Sequence, residues 1–209
     1  MAETDNAEKT ARGLGANHLI TTVDLLALPQ VRNNERERCY YCKKRIFGKL
    51  KELATQRGFG IIVEGSNADD LKDFRPGMRA LRELEVSSPL LEAGLRKQEI
   101  RKLAAAAELL VSNKLSSACM ASRFSYGQEI SSLAINRLID AEEYLRNLGV
   151  AGNLRVRLHP NQLVRIEVEK PYLTLLLEKQ GEVADMLLKL GYRYITIDLQ
   201  GFMSGSMNK

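Results

Sequence analysis

The sequence has no tryptophan, two histidines, five prolines and three cysteines, and no apolar run approaches the roughly 20 residues that a membrane-spanning helix needs. The missing run argues against a membrane protein. The N-terminus, MAETDNAEKTARGLG, lacks an apolar signal core, so a cytoplasmic location is expected. An odd number of cysteines in a reducing compartment argues against a disulfide framework. It leaves metal ligation, nucleophilic chemistry or core packing for Cys39, Cys42 and Cys119. The lack of tryptophan excludes nothing. Neither an internal repeat nor a low-complexity tract is present. The composition, 44% apolar and 27% charged over 209 residues, is that of one large globular domain or two small ones.

The net charge of +5 is unevenly spread, because residues 32–57 hold nine Lys or Arg against three Glu. Such a segment attracts phosphate-bearing partners, whether a nucleotide-sized anion or an RNA backbone. Lys43, Lys44 and Lys51 also fall where a helix faces water, which is the plainer reading of the same residues.

Alternation and period predict helix over 6–14, strand over His18 to Val23, helix over Tyr40 to Arg57 and strand over Ile61 to Val63. Helix–strand units of this length imply a parallel sheet. The polar segment EGSNADDLKDFRPGMRA then falls where the carboxyl end of a parallel strand opens onto a site. Helices are expected near Gly77 to Leu84 and Lys97 to Leu110, followed by an aperiodic Ser-rich stretch, Ser112 to Tyr126. A boundary after that stretch gives an N-terminal domain, 1–126, and a small α+β domain, 127–209. The latter reads as a helix over Ser131 to Leu148, strands over Leu154 to Leu158 and Leu163 to Val168 joined by HPNQ, helical pieces over Pro171 to Lys179 and Val183 to Leu190, and a last strand over Tyr194 to Leu199.

The chemistry concentrates in few residues. CYYC, Cys39 to Cys42, begins a helix, where backbone N–H groups and the helix dipole favour thiolates. The spacing suits zinc, an iron–sulfur cluster or a redox couple, although the chain shows no compact thioredoxin layout. Structural zinc needs a fourth ligand, from His18, His159 or a carboxylate, and neither histidine lies at a short zinc-ligand spacing from a cysteine. Three thiolates on a cubane cluster leave one iron open to sulfide or substrate. Cys119 lies in the loop SSACMASR, with Ser122 and Arg123 close behind. Arg155 and Arg157 share one strand face and suit a carboxylate or phosphate, or else decorate a solvated sheet. Asp69 and Asp70 read equally as cap or turn residues, and His159 beside Pro160 as turn chemistry.

RCYYCKKRIFGKLKELA, VEGSNADDLKDFRPGMRAL, SPLLEAGLRKQEIRKLA, SSACMASRFSYG, RVRLH and YITIDLQGFMSGSMN occur in the order and spacing of the LarE family, which the chain resembles over nearly its whole length. These are ATP-dependent sulfurtransferases of nickel-pincer nucleotide biosynthesis. The resemblance implies an α/β fold, a partial ATP-pyrophosphatase (adenine nucleotide alpha hydrolase-like) sheet with helices, plus a small C-terminal α+β domain for substrate and oligomerisation. It implies adenylylation of pyridinium-3,5-biscarboxylic acid mononucleotide, then replacement of the activated oxygen by sulfur. With Cys39, Cys42 and Cys119 all present, the sequence resembles the type that carries a 4Fe-4S cluster on three cysteines. By the same resemblance Cys119, Ser122 and Arg123 form the sulfur site, Arg155 and Arg157 hold the substrate, and Gly65, Asn67, Asp69, Asp70 and Arg75 line the nucleotide side.

Family members begin with a Ser-Gly-Gly-x-Asp-Ser phosphate loop, and no such string occurs in these residues. Use of ATP and Mg is therefore expected to need that loop from elsewhere, for instance from an upstream chain. A homo-oligomer is also implied, whereas a DNA partner is not. Two other readings stay open at this level: a tRNA-thiolating enzyme of the same superfamily, and a non-catalytic zinc-stabilised binding module.

Overall fold

The structure, a computed structural model, describes residues 2–72, 75–109 and 118–203. In chain order the helices are α1 (Ala2–Gly13), α2 (Pro29–Arg32), α3 (Arg38–Gln56), α4 (Gly77–Glu83), α5 (Pro89–Glu92), α6 (Lys97–Ala106), α7 (Ser132–Asn147), α8 (Leu173–Glu178) and α9 (Gln180–Lys189); the strands are β1 (Leu154–His159), β2 (Leu163–Val168) and β3 (Tyr194–Ile197). The chain packs as two units, Met1–Leu25 with Glu37–Lys114, and Leu26–Arg36 with Leu115–Lys209. Among the described residues no helix is long and apolar enough to cross a membrane.

In the first unit α3 is the longest helix. It ends where Arg57 caps it and Gly58 turns left-handed at φ 76°, a conformation glycine adopts without steric cost. The amino end of α4 lies against its first turn. A Cβ at Gly77 would sit 3.2 Å from the carbonyl of Cys39 and 2.9 Å from Cδ of Lys43, so a larger residue would have to push the Lys43 side chain aside and shift the backbone contact. Tyr40 donates to Glu83 at 2.8 Å and lies 3.9 Å beneath the Arg79 guanidinium. Its buried apolar residues, among them Tyr40, Ala80, Leu81 and Val86, form a thin core.

Among the described residues the parallel sheet expected in this unit is not formed. Residues 16–24 run without strand pairing, and the Ile61 to Val63 run makes a single parallel bridge, Val63 to Ser87. The physical reason is the lack of a neighbour. A strand needs a partner for its N–H and C=O groups, and here Leu19, Ile20, Ile61 and Val63 are exposed instead of covered.

The second unit holds the three-stranded mixed sheet, in the order β1-β2-β3. β1 and β2 pair antiparallel with Arg157 opposite Arg165 and Arg155 opposite Glu167. β2 and β3 are parallel, and α8 and α9 supply the crossover that parallel strands require. Period-two alternation divides the sheet into two faces. Leu154, Val156, Leu158, Val164, Ile166 and Val168 join Leu138 and Leu145 of α7 and Leu187 of α9 in one apolar core. The opposite face carries Arg155, Arg157, Arg165 and Glu167, and it too is covered: every residue of β1 except His159 is buried. The alternative of a solvated arginine face is therefore wrong, because the Cys119 loop is hydrogen-bonded onto that face.

Candidate functional site

The first unit places Cys39 and Cys42 in the opening turn of α3, one turn apart, with Cys39 exposed and Cys42 partly so. Cys119 belongs to the second unit and is exposed, and none of the three is in a disulfide. Among the described residues no group of three or more His, Cys, Asp or Glu is arranged to hold a metal ion.

The segment 64–70 is tied largely to itself. Glu64 accepts from the amide and hydroxyl of Ser66 (3.0 and 2.9 Å) and from the hydroxyl of Ser88 (2.6 Å), with Lys43 at 3.4 Å. Burial alone would raise its pKa, but these hydrogen bonds and the ammonium outweigh it and hold the carboxyl below its ordinary value. Asn67 and Asp70 bond to one another through the Asn67 amide and side chain. Asp69 accepts from the amide of Lys97 at 3.0 Å and so caps α6. The cap and turn roles that the sequence left open for Asp69 and Asp70 are thus occupied. Asp70 also pairs with Arg75 at 2.9 Å, and both line a cavity of about 410 Å³ with Met78, Leu81, Val86 and Ser88. Gly65 is exposed, with open space where a Cβ would stand.

Four lysines of the basic segment are paired with carboxylates where it folds. Lys43 meets Glu64, Lys44 meets Glu83, Lys49 meets Glu52 and Lys51 meets Glu85, each within 3.4 Å. Pairing of this kind weakens the field that these lysines offer a polyanion.

In the second unit the residues around Cys119 are held from behind. Arg123, 3% exposed, makes a two-pronged pair with Glu142 (2.9 and 3.0 Å). Its remaining nitrogen donates to the carbonyls of Ala118 (2.7 Å) and Cys119 (3.3 Å) and to the Ser122 hydroxyl (3.3 Å). Ser122 closes the turn by donating its amide (2.9 Å) and hydroxyl (2.7 Å) to the Cys119 carbonyl. Arg157 donates to the Ser122 carbonyl at 2.7 Å and grips Glu167 through two further nitrogens at 3.1 and 3.0 Å. Glu167 is fully buried and takes Arg165 as well, at 2.9 Å. Charge-assisted pairs of this kind are the strong ones.

Arg155 is 7% exposed, stacks 5.3 Å from the Phe202 ring and donates to the Leu154 carbonyl at 2.6 Å. Burial, and next the nearby Arg123, pull its guanidinium below the usual value, a crowding of like charge that an anion would relieve. His159 lies with Nδ1 3.4 Å from the Ser125 hydroxyl, while its buried Nε2 has no hydrogen-bond partner among the described residues. The structure thus brings Cys119, Ser122, Arg123, Arg155 and Arg157 into one unit and places Gly65, Asn67, Asp69, Asp70 and Arg75 in the other. Glu142 and Glu167 were missed by sequence. The available signal was Glu167 two residues after Arg165 on an alternating strand; Glu142, on α7, gives none.

These features define a class, an α/β protein whose cysteine loop rests on a buried guanidinium–carboxylate network. No family model matches the sequence. Relatives do. Over 206 residues the chain is 38% identical to the pyridinium-3,5-bisthiocarboxylic acid mononucleotide synthase of Lactiplantibacillus plantarum, covering 99% of the chain and 74% of that protein. It is 34% identical over 209 residues to an uncharacterised protein of Synechocystis sp., covering 99% and 77%. An uncharacterised protein of Methanocaldococcus jannaschii is 32% identical over 180 residues, covering 86% and 69%. With that extent of identity, the chain belongs to the LarE family, that of the mononucleotide synthase.

Proposed function

We propose that the chain is a sulfurtransferase that makes thiocarboxylates from pyridinium-3,5-biscarboxylic acid mononucleotide for a nickel-pincer nucleotide. The observation that carries this reading is the relationship to the named synthase over 99% of the chain. In the proposed reaction a substrate carboxylate oxygen attacks the α-phosphorus of ATP and pyrophosphate leaves. A sulfur nucleophile then attacks the acyl carbon and AMP departs, leaving a thiocarboxylate. Activation converts a poor leaving group into a good one, after which proximity and cationic stabilisation suffice.

The buried face of β1 supports a division of roles. Arg155 supplies positive charge toward the substrate carboxylate or phosphate. Arg123 and Arg157, committed to Glu142 and Glu167, fix the carbonyls on either side of Cys119. Asp70 and Arg75 border a cavity of the first unit, which supports their assignment to a nucleotide. Gly65 and Asn67 lie on the same segment. The ATP-pyrophosphatase fold is part of this proposal. So is its phosphate loop, supplied with Mg from the same or another polypeptide and adding a strand along the exposed runs at 19–20 and 61–63.

Three thiols in no disulfide, none of them buried, are donors of the type that iron–sulfur ligation uses. A 4Fe-4S cluster on Cys39, Cys42 and Cys119 would supply the sulfur at its open iron. The test is anaerobic purification with iron, sulfide and zinc analysis, repeated on Cys39→Ala. Near-stoichiometric cluster in the parent and its loss in the variant are expected; one zinc and no visible absorption would overturn the cluster and favour a zinc-stabilised module. Cys119→Ala should abolish thiocarboxylate formation, read by mass spectrometry of the product.

A further inference from the structure

We infer that Glu167 is a positioning residue for the Cys119 loop, acting through Arg157. Its importance for sulfur transfer rests on the function proposed above, but its effect on the loop does not. Glu167 lies on β2, the middle strand of the sheet, and its two oxygens are divided between two guanidiniums. Oε2 accepts from Nε and one terminal nitrogen of Arg157 at 3.1 and 3.0 Å, and Oε1 accepts from Arg165 at 2.9 Å. Gripped on two of its nitrogens, Arg157 keeps the third aimed at the Ser122 carbonyl, 2.7 Å away.

The contact matters because of what Ser122 does. Its amide and hydroxyl both bond to the Cys119 carbonyl, so the position of Ser122 fixes the backbone from which the thiol projects. Arg123 holds the same turn from the other side through the Ala118 carbonyl, with Glu142 as its anchor. The loop is thereby held at three carbonyls by two arginines, each backed by a carboxylate. Glu167 is the more deeply placed of the two carboxylates, its side chain fully buried against 18% exposure for Glu142. Glu167 thus lies between two cations, Arg157 and Arg165, and Arg165 also meets Asp198 at 3.6 Å.

Glu167→Gln keeps the shape but turns one acceptor oxygen into an N–H donor facing a guanidinium, so one of the two grips must be lost. The experiment uses the full chain, reduced and treated with chelator, and follows iodoacetamide labelling of each cysteine by peptide mass spectrometry. Cys119 labelling should change at least fivefold in Glu167→Gln and in Arg157→Lys, while Cys39 and Cys42 stay within twofold. Glu167→Asp, which keeps the charge, should fall closer to the parent.

If Glu167→Gln does not fold, Arg157→Lys decides, and hydrogen exchange on the unaltered chain decides without any variant. Slow exchange of the Ser122 amide is expected, and exchange at the free-peptide rate would overturn the proposal. Folded Gln and Lys variants with parent-like Cys119 labelling would overturn it equally. None of these readouts needs ATP or a cluster, so they stand apart from any failure of the proposed enzyme activity. In the sulfur-transfer assay itself, kcat should fall more than tenfold in Glu167→Gln with KM for the mononucleotide within twofold, the split expected when sulfur and not substrate is displaced.

Discussion

His159 shows how one side chain reports the burial of the polar sheet face. Burial comes first and Arg165 second in pushing its pKa below the ordinary 6.5, so folding favours the neutral imidazole. The unfolded chain binds a proton near pH 6.5 more readily than the folded one. The stability this provides is therefore fully present above that pH and is lost as the pH falls below it. Urea unfolding followed at pH 7.5 and 5.5 should show the second unit weakening on acidification, with a flatter dependence in His159→Gln; equal slopes for parent and variant would show that the imidazole is not the group responsible.

At the scale of elements, α7 joins the apolar core to the network beneath Cys119. Its start is set by Ser131, whose hydroxyl accepts from the amide of Ala134 at 3.2 Å, and its inner face carries Leu138, Ala141 and Leu145, all fully buried. From the same helix Glu142 reaches both Arg123 and the amide of Val156 on β1. Ser131→Ala should cost about 1 kcal/mol through the lost cap. Leu145→Ala should cost about 3 kcal/mol through lost burial and the cavity left behind. Chemical denaturation of both variants checks the ranking, which inverts only if α7 contributes more through its end than through its face.

Across the whole chain, a short early segment is built into the later unit. Ile130 donates its amide to the carbonyl of Arg32 at 2.7 Å and Gly127 to that of Asn34 at 3.1 Å. Asn34 is fully buried, has φ 50°, and donates its side-chain amide to the carbonyls of Phe124 and Ser125 at 3.1 and 2.7 Å. Asparagine is among the few residues that accept this left-handed backbone. Asn34→Ala should therefore cost about 2–3 kcal/mol, from two buried carbonyls left without their donor and from the backbone conformation. A calorimetric loss well under 1 kcal/mol would mean that the segment is not integral to the second unit.

The sequence by itself determined the longer helices, because a 3.6-residue apolar period and a following glycine are local signals, whereas the four-residue α2 and α5 are too short to show a period. Tyr40 to Arg57 became Arg38–Gln56, and the strand Leu163 to Val168 was found residue for residue. It also determined the family, since six motifs kept their order along the chain. Strand formation over His18 to Val23 and Ile61 to Val63 was not decided locally: the β-branched residues are there, but a ladder needs a neighbour that this unit does not place beside them. Burial of Arg155 and Arg157 was likewise invisible, because alternation says which residues share a face and not what covers it. Only the tertiary structure decided that the covering segment is the Cys119 loop. Only it decided that Glu142, from a helix, and Glu167, from the neighbouring strand, fix the two arginines beneath that loop. Carboxylates 19 and 10 residues away from the arginines they serve meet them only after the sheet and α7 have packed.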